Sequence, residues 1–323
     1  MLGPVAVLVP AYNASSTIGR AVKSALAQEE ASEVIVIDDG STDETAQVAS
    51  ACDDGTGRLR VLRKSNGGPG SAVNKGRDAS AAPYFCVLDS DDFFLPGRLS
   101  QIFAQAAKGW DMAADRLFLA QEGQENGPFA PWAGQIPQSG RITFEPFVRG
   151  NITDPRRPRT ELGYLQPVFR RAFFDERKIR HDERLRLGED YLFYGLALAR
   201  GARFEVVETR RYVAVARPDS LSRNHGIADL EALRAADGAL LEESTLTPAE
   251  RRALAEHARH LQRKITYRRA LETKAAGDLR GALRLCAEDF GTLLYIVDET
   301  ARAKLRSARP IVRGAAERGN AIP

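Results

Sequence analysis

The stretch YFCVLDSDDFFLPGRL, which runs from Tyr84 to Leu99, joins an apolar segment to a group of acids. Its first part, Tyr84–Leu88, is apolar without interruption, as expected for a strand that is buried on both faces. Asp89, Asp91 and Asp92 follow at once, although neighbouring carboxylates repel one another and are costly to bury. The stretch therefore predicts a buried strand whose carboxyl end faces a positively charged ligand.

The residues before this stretch alternate strand-like runs with helical patterns. Continuous apolar runs occur at 5–9 and 34–37, and 59–62 resembles a third strand. Apolar residues recur at helical spacing between 18 and 26. Ser41 and Glu44 predict a capping box for a second helix, through Val48. This alternation predicts an α/β fold with a parallel sheet covered by helices on both faces.

Polar segments follow three of the four predicted strands. They are PAYN after the first strand, DDGSTD after the second and DSDD after the fourth. Ligands of such sheets bind outside the carboxyl ends of the strands. We therefore expect the three segments to line one cleft.

The pattern changes beyond residue 120. Gly, Pro and Gln are frequent between 121 and 158, and no element is predicted there. A strand is predicted in GYLQPVFRR, and a loop, a helix and a strand in LRLGEDYLFYGLALARGARFEVVE. From Ile227 the pattern is helical, and Thr247, Pro248 and Glu250 predict a helix start. We divide the chain into 1–226, with halves 1–120 and 121–226, and a helical C-terminal region, 227–323.

Composition indicates an ordinary globular protein, with 43% hydrophobic and 28% charged residues. The net charge of +3 does not argue for a nucleic-acid partner. The cysteines at 52, 86 and 286 lack CxxC spacing, which argues against disulfides and structural zinc and fits a reducing compartment. The N-terminus has no basic leader, and no apolar run is long enough to span a membrane. A cytoplasmic location is expected.

Asp89 and Asp91 are candidate metal ligands. Oxygen ligands suit hard cations such as Mg²⁺ or Mn²⁺, and Mg²⁺ is usually held by one or two carboxylates together with substrate phosphates. The predicted positive charge is therefore a divalent cation that arrives with a diphosphate. For Asp92, a role as the cap of the next helix is as well supported as a functional role.

Two further acidic pairs have both a functional and a structural interpretation. Asp38 and Asp39 follow the second strand, where one could accept a hydrogen bond from a base or a sugar hydroxyl, or simply form a turn. Glu189 and Asp190 begin a predicted helix, where acids are stabilised by the helix dipole. The same position suits a general base, but spacing alone favours the cap.

The four histidines, at 181, 225, 257 and 260, show no metal-binding pattern. His257 and His260 share one face of a helix rich in Arg and Glu, so we expect that face to be solvated.

These segments resemble family 2 glycosyltransferases of the GT-A fold. The resemblance rests on VAVLVPAYNASSTIGRAVKSAL, EVIVIDDGSTDETAQVA, NGGPGSAVNKGRDAS and YFCVLDSDDFFLPGRL. The segment GEDYLFYGLALARGARF resembles the acceptor-side ED block of the family. The bacterial succinoglycan side-chain glucosyltransferases are the most similar group, since they share DDFFxPGRL, LRLGEDYxxYxxALxxGAR and a helical tail.

The resemblance implies a GT-A-type, mostly parallel sheet flanked by helices, with a C-terminal helical extension. It also implies a UDP-sugar donor, a Mn²⁺ or Mg²⁺ ion and inversion at the anomeric carbon. Carried over by position, the residues that bind the nucleotide-sugar are Pro10, Ala11, Tyr12, Asp39, Asn74 and Asp89.

Within that set, Asp39 would face uracil and Asp89 the ribose and the metal. Asp91 would hold the metal, Asp190 would be the catalytic base, and Glu189 would lie beside it on the acceptor side.

One position departs from the family pattern. Members often carry Arg before the Asn of the GxAxARN block, whereas Val73 precedes Asn74 here. The departure removes one contact that the family pattern implies on the diphosphate side, and Lys64, Lys75 or Arg77 are the candidates to replace it.

The resulting hypothesis is transfer of a hexose, glucose, from a UDP-sugar to a hydroxyl of a growing, lipid-linked exopolysaccharide oligosaccharide. A sugar-phosphate nucleotidyltransferase is one alternative, but it should carry a Gly-rich basic loop where this chain has PAYNASS. A sugar-nucleotide-binding component of a polysaccharide assembly complex is another, and it would tolerate the loss of Asp91 or Asp190.

The C-terminal segment has the composition of a membrane-surface contact. The apolar block 293–297 precedes basic residues at 302, 304, 306, 309, 313 and 318. Basic residues beside an apolar stripe suit an anionic membrane, so we predict peripheral contact with the inner face of the plasma membrane. Alternatively, the block packs on the catalytic domain and the basic end is a disordered terminus.

Overall fold

A computed structural model describes residues 3–132, 139–152, 162–216 and 226–287, together with 293 and 295. The chain divides into two compact units, 1–261 and 262–323. The helices that begin at Ile227, where the helical region was predicted to start, therefore belong in part to the first unit. The predicted tail segment after Asp298 lies outside the described residues.

The strands and helices alternate in the first half, as predicted. The strands are β1 Val5–Ala11, β2 Ala31–Asp38, β3 Leu59–Arg63, β4 Tyr84–Val87, β5 Phe93–Phe94, β6 Met112–Gln121, β7 Ala130–Pro131, β8 Gly140–Ile142, β9 Val168–Arg170 and β10 Phe204–Ala216. The helices are α1 Ile18–Leu26, α2 Thr45–Ser50, α3 Pro69–Asp78, α4 Arg98–Gln105, α5 Phe144–Gly150, α6 Arg171–Glu176, α7 Glu189–Ala199, α8 Ile227–Leu241, α9 Pro248–Ala275 and α10 Leu279–Ala287. A 3-10 turn covers Leu162–Tyr164.

The first four strands form the predicted parallel part of the sheet, in the order β3-β2-β1-β4. Val7 of β1 pairs with Val34 of β2 and with Cys86 of β4, and all three side chains are fully buried. Strands β1, β2 and β4 carry continuous apolar runs because helices cover both faces of a parallel sheet. Gly76 of α3 allows a close approach, since a Cβ there would lie 2.6 Å from Ile37 Cδ1.

The second part of the sheet is mixed and continues as β9-β6-β10-β5. Strand β9 is antiparallel to both β4 and β6, whereas the long strand β10 is parallel to β6. Strand β10 is also antiparallel to β5, with Tyr212 opposite Phe94. This last pairing fixes the acidic loop between β4 and β5 against β10.

Helix starts were predicted with mixed success. The capping box before α9 is confirmed: the Thr247 N–H donates to Glu250 Oε2 at 2.8 Å, and the Glu250 N–H donates to Thr247 Oγ1 at 3.3 Å. The capping box at Ser41 and Glu44 is wrong. Ser41 Oγ accepts from the Asn13 N–H at 2.9 Å, so the loop after β1 uses this hydroxyl.

The segment between 121 and 158 contains an element that the sequence pattern did not predict. Helix α5 runs there, and Phe144, Phe147 and Val148 are buried in the core. Within the described part of the chain, no helix combines the length and the apolar character that a membrane crossing requires.

Candidate active site

The polar segments after β1 and β2 join as predicted. The Asp39 N–H donates to the Ala11 carbonyl at 2.8 Å, and the Ala14 N–H donates to Thr45 Oγ1 at 2.8 Å. Pro10 and Ala11 are the last residues of β1, and Tyr12, just beyond it, is 53% exposed. An exposed aromatic ring at the carboxyl end of a parallel strand is available to a planar ligand.

Asp39 lies at the base of this part of the cleft and is 4% exposed. Its carboxylate accepts from Lys64 Nζ at 2.6 Å, and from the Gly67 and Gly68 N–H groups at 2.9 and 2.8 Å. The carboxylate thereby holds the glycine-rich turn that leads into α3. Asp38 is structural, since it is fully buried and accepts from the Ser41 N–H and from Arg63 Nε.

The acids after β4 and those at the start of α7 form one cluster. Desolvation raises the pKa of Asp89 well above its usual range, and the charges that raise it further belong to the carboxylates of Asp92, Asp91, Asp190 and Glu189. Glu189 behaves similarly, because burial and the neighbouring Asp190 raise its pKa to about 7. Two segments a hundred residues apart in sequence therefore contribute to one field of negative charge.

Asp92 is the structural member of this cluster and does not cap a helix. Its Oδ2 accepts from the Tyr212 hydroxyl at 2.8 Å, and its Oδ1 accepts from the Val215 N–H at 2.8 Å. Burial, with the charge of Asp91, raises the pKa of Asp92 to about 7. Arg20 supports the same loop by donating to the Asp91 carbonyl at 2.9 Å. These bonds to β10 and α1 fix the loop that carries Asp89 and Asp91.

Gln166 approaches the cluster from the segment before β9. Its amide nitrogen donates to Asp89 Oδ2 at 3.3 Å, and the side chain is 5% exposed. The backbone carbonyl of Gln166 accepts from the fully buried Arg98, whose Nε donates to Asp115 at 2.9 Å. The Gln166 amide oxygen has no hydrogen-bond partner among the described residues. This leaves a buried acceptor next to Asp89.

Glu189 and Asp190 are the first two residues of α7, and its N-cap is Gly188, with a φ of 72°. The interpretation of this acidic pair as the helix cap is therefore wrong. Asp190 Oδ1 lies 3.4 Å from Nε2 of His181, and its side chain is 30% exposed. The Asp190 carboxylate is thus both accessible and in contact with a titratable ring. The helix dipole also favours negative charge at this end of α7.

Asn74 lies on α3 and is buried beneath the cleft. Its amide nitrogen donates to the His181 carbonyl at 2.9 Å and to Glu183 Oε1 at 3.0 Å, and its amide oxygen accepts from the His181 N–H at 3.2 Å. Its predicted role in binding the nucleotide-sugar stays a prediction, and its amide is engaged by these protein groups.

The three candidates for the diphosphate contact differ in availability. Lys64 pairs with Asp39, and the guanidinium of Arg77 is buried against Asp175 and the Ile179 carbonyl. Lys75 is exposed on α3, and Val73 itself is buried in the core. Arg77 therefore serves to pack α3 against α6 and is not positioned as a free cation.

The donor set suits a hard cation that brings further ligands. Among the described residues, no group of three or more His, Cys, Asp or Glu side chains is arranged to hold a metal by itself. Asp89 and Asp91 supply carboxylate oxygens. The pKa of Asp89 is raised by burial and then by the neighbouring carboxylates, and a cation would relieve that second contribution. One or two carboxylates completed by substrate phosphates is the usual arrangement for Mg²⁺.

Several residues of the site were not found from the sequence. His181, Gln166 and Tyr212 carry no recognisable spacing, and each reaches the acids only through the fold. The prediction that His257 and His260 face solvent is wrong, because they are 2% and 5% exposed. His257 Nδ1 lies 2.8 Å from Asp237 Oδ2, and Tyr191 donates its hydroxyl to the same carboxylate.

Comparison with known proteins identifies the family of this chain. Residues 6–173 match the family model described as glycosyl transferase family 2. The chain is 45% identical over 274 residues to the succinoglycan biosynthesis protein ExoU of Rhizobium meliloti. This alignment covers 84% of this chain and 79% of ExoU. It is 34% identical over 295 residues to the succinoglycan biosynthesis protein ExoO of the same organism. That alignment covers 90% of this chain and 83% of ExoO.

Solved structures show a similar fold. The crystal structure of S. aureus TarS 1-349 in complex with UDP has a TM-score of 0.62 and 22% identity, over 96% of this chain and 95% of that chain. The complex of TarS 1-349 with UDP-GlcNAc also has a TM-score of 0.62, over 80% of this chain and 72% of that one.

Proposed function

The chain belongs to glycosyl transferase family 2 and is of the succinoglycan-biosynthesis type, and we propose that it transfers glucose from UDP-glucose to an acceptor hydroxyl with inversion. The acceptor in this proposal is a growing, lipid-linked exopolysaccharide oligosaccharide. The observation that carries the proposal is the single cluster formed by the acids after β4 and those at the start of α7. Binding of UDP and UDP-GlcNAc by TarS, which has the same GT-A fold, supports a nucleotide-sugar donor.

The donor half of the cleft is assigned to the first unit's parallel strands. Pro10, Ala11 and the exposed Tyr12 would line the uridine, with Asp39 toward uracil. Asp89 and Asp91 would hold Mn²⁺ or Mg²⁺, which when bound neutralises charge that develops on the leaving diphosphate. This assignment explains why the chain tolerates acids with raised pKa values at the end of a buried strand.

The acceptor half is assigned to the start of α7. Asp190 would remove the proton from the attacking hydroxyl as the new bond to the anomeric carbon forms. Its partial exposure, 30% for the side chain, leaves the carboxylate accessible to an acceptor. Glu189 lies next to it, and its pKa of about 7 lets it carry a proton near neutral pH.

A donor screen tests the proposal. The purified chain would be incubated with individual UDP-sugars and Mn²⁺, and release of UDP would be measured before and after addition of lipid-linked oligosaccharide. We expect metal-dependent hydrolysis to be fastest with UDP-glucose and to become transfer when the acceptor is added. UDP binding without turnover of any donor would favour the non-catalytic component. Formation of UTP and sugar 1-phosphate from a UDP-sugar when pyrophosphate is added would favour a nucleotidyltransferase.

We further propose that the protein works at the cytoplasmic face of the plasma membrane, where a lipid-linked acceptor is accessible. The basic C-terminal segment carries this proposal, since Lys and Arg near an anionic surface each contribute about 1 kcal/mol to binding.

A further inference from the structure

The imidazole of His181 contacts the proposed base, Asp190. Its Nε2 lies 3.4 Å from Asp190 Oδ1, and its side chain is 3% exposed. The ring stacks on Phe193, one turn along α7, with centroids 3.9 Å apart and an interplanar angle of 19°. Burial and stacking therefore fix the plane of the imidazole before any ligand arrives.

The backbone of His181 is held just as firmly. Asn74 on α3 accepts from its N–H at 3.2 Å and donates to its carbonyl at 2.9 Å, so one side chain binds both peptide groups. The remaining amide hydrogen of Asn74 goes to Glu183 Oε1 at 3.0 Å. Gly70 brings α3 close, because a Cβ at that position would lie 3.2 Å from His181 Cβ. A helix of the donor half thus supports a residue that touches the acceptor half.

We propose that His181 is a positioning residue for Asp190. In this arrangement the Nε2–H donates to Oδ1 of Asp190, and Oδ2 is left to accept the proton of the acceptor hydroxyl. The hydroxyl O–H bond breaks as its oxygen bonds to the anomeric carbon, and the electron pair of the broken carbon–oxygen bond leaves with UDP. Asn74 holds His181 in place. The inference rests on the proposed function, because it takes Asp190 as the base.

A purely structural role for His181 predicts a different outcome. A buried histidine that only fills space contributes to stability, and its removal should leave kcat unchanged in the protein that remains folded. A positioning residue acts on the orientation of the base, and proton transfer is sensitive to misplacement by as little as about 1 Å. The two roles therefore separate in kcat, with KM for the donor unaffected in both.

The kinetic test compares His181→Phe with a matched control. Phenylalanine keeps a ring to stack on Phe193 but has no N–H for Asp190. His257→Phe is the control, because His257 is also buried and pairs with a carboxylate, Asp237, that has no part in the proposed reaction. We expect His181→Phe to lower kcat by about 10- to 100-fold with KM for UDP-glucose unchanged.

The control and a conservative variant complete the design. His257→Phe should lose thermal stability and keep kcat, and His181→Gln, which retains an N–H donor, should recover part of the lost rate. Wild-type kcat in His181→Phe, or an equal loss of kcat in His257→Phe, would overturn the inference.

A spectroscopic test does not depend on activity. The chain has 4 histidines, so ¹⁵N-histidine labelling gives a spectrum that single substitutions can assign. We expect His181 to carry its proton on Nε2 and its resonances to shift in Asp190→Asn, while those of His257 stay in place. A His181 ring protonated only on Nδ1 would contradict the pairing. Failure of the wild-type chain to turn over any UDP-sugar would instead refute the proposed function and leave this pairing to be judged by NMR.

Asn74 provides the last test, since two roles are possible for it. As a ligand of the nucleotide-sugar, its replacement by alanine should raise KM for UDP-glucose. As the support of His181, Asn74→Ala should lower kcat and leave that KM unchanged. We expect the second result, and a higher KM at unchanged kcat would overturn this part of the inference.

Discussion

Replacing Glu189 by glutamine should stabilise the protein at pH 8 and not at pH 4. Burial, followed by the charge of Asp190, raises the pKa of Glu189 from 4.5 to about 7 in the folded state. The folded state therefore binds a proton that the unfolded state releases, and the stability that this proton contributes is present below pH 4.5. It is lost as the pH rises through about 7.

The size of the effect follows from the two pKa values. The difference between 4.5 and about 7, at about 1.4 kcal/mol per pH unit, gives roughly 3–4 kcal/mol as an upper bound. The Asp190 side chain is partly exposed, so solvent screens part of its repulsion with Glu189. We therefore expect Glu189→Gln to increase the free energy of unfolding by about 2 kcal/mol at pH 8. For a chain of 323 residues that corresponds to an increase in Tm of roughly 3 °C.

The assay is thermal unfolding at pH 4 and pH 8, without divalent cations. Glu145→Gln is the control, since Glu145 is also an acid in the first turn of a helix, α5, and pairs with Arg149 four residues on. The control should lower Tm slightly at pH 8, as loss of an ordinary acid at a helix start does. A lower Tm of Glu189→Gln at pH 8 would show that the helix dipole stabilises the Glu189 carboxylate. That result would refute the raised pKa of Glu189 in the folded state.

Three further predictions concern the proposed reaction. Asp91→Ala should abolish Mn²⁺-dependent transfer, because one carboxylate fewer would hold the metal beside the diphosphate; near-normal rates across a Mn²⁺ titration would refute the assignment. Asp190→Asn should bind UDP-glucose but lose transfer, since asparagine keeps the size and hydrogen-bonding capacity of aspartate yet is not a base; unchanged turnover at unchanged Tm would leave Asp190 only the role of an acid in the first turn of α7. Truncation after Thr300 should weaken flotation with anionic vesicles at low salt, and equal binding of the truncated and full chains would dismiss the tail as an anchor.

The parallel half of the sheet could be predicted because its buried strands are visible in the sequence as apolar runs. Val5–Val9 and Tyr84–Leu88 are continuous apolar runs, and burial on both faces leaves no other stable arrangement for them. The acids at the strand ends could be predicted to converge for the same reason, since parallel strands place their carboxyl ends at one edge. The resemblance to the family then assigned Asp190 a role that spacing alone did not favour.

The supporting contacts could not be predicted, because they join residues that are distant in sequence. Asn74 and His181 are 107 residues apart, and nothing in either segment indicates the other. The face of α9 that carries His257 contains many Arg and Glu residues, which suggested solvent exposure. Asp237, on α8, supplies the buried partner that makes burial of that histidine acceptable.

Local signals also failed where a loop competed for the same side chain. Ser41 and Glu44 have the spacing of a capping box, but the hydroxyl of Ser41 accepts from the Asn13 N–H in the loop after β1. Thr45, which begins α2, is likewise engaged by the Ala14 N–H. Tertiary hydrogen bonds across the cleft therefore outweighed the local helix signal.

The most direct test of the proposed function follows a labelled hexose from donor to product. The chain would be incubated with UDP-glucose labelled in the sugar, Mn²⁺ and lipid-linked oligosaccharide, and the lipid fraction would be analysed for label and anomeric configuration. We predict that label enters the lipid fraction as a β-glucoside, the inverted product of an α-linked donor, and that Asp190→Asn yields none. Retained α configuration, or UDP binding with no label transferred from any UDP-sugar, would contradict an inverting glycosyltransferase that uses Asp190 as its base.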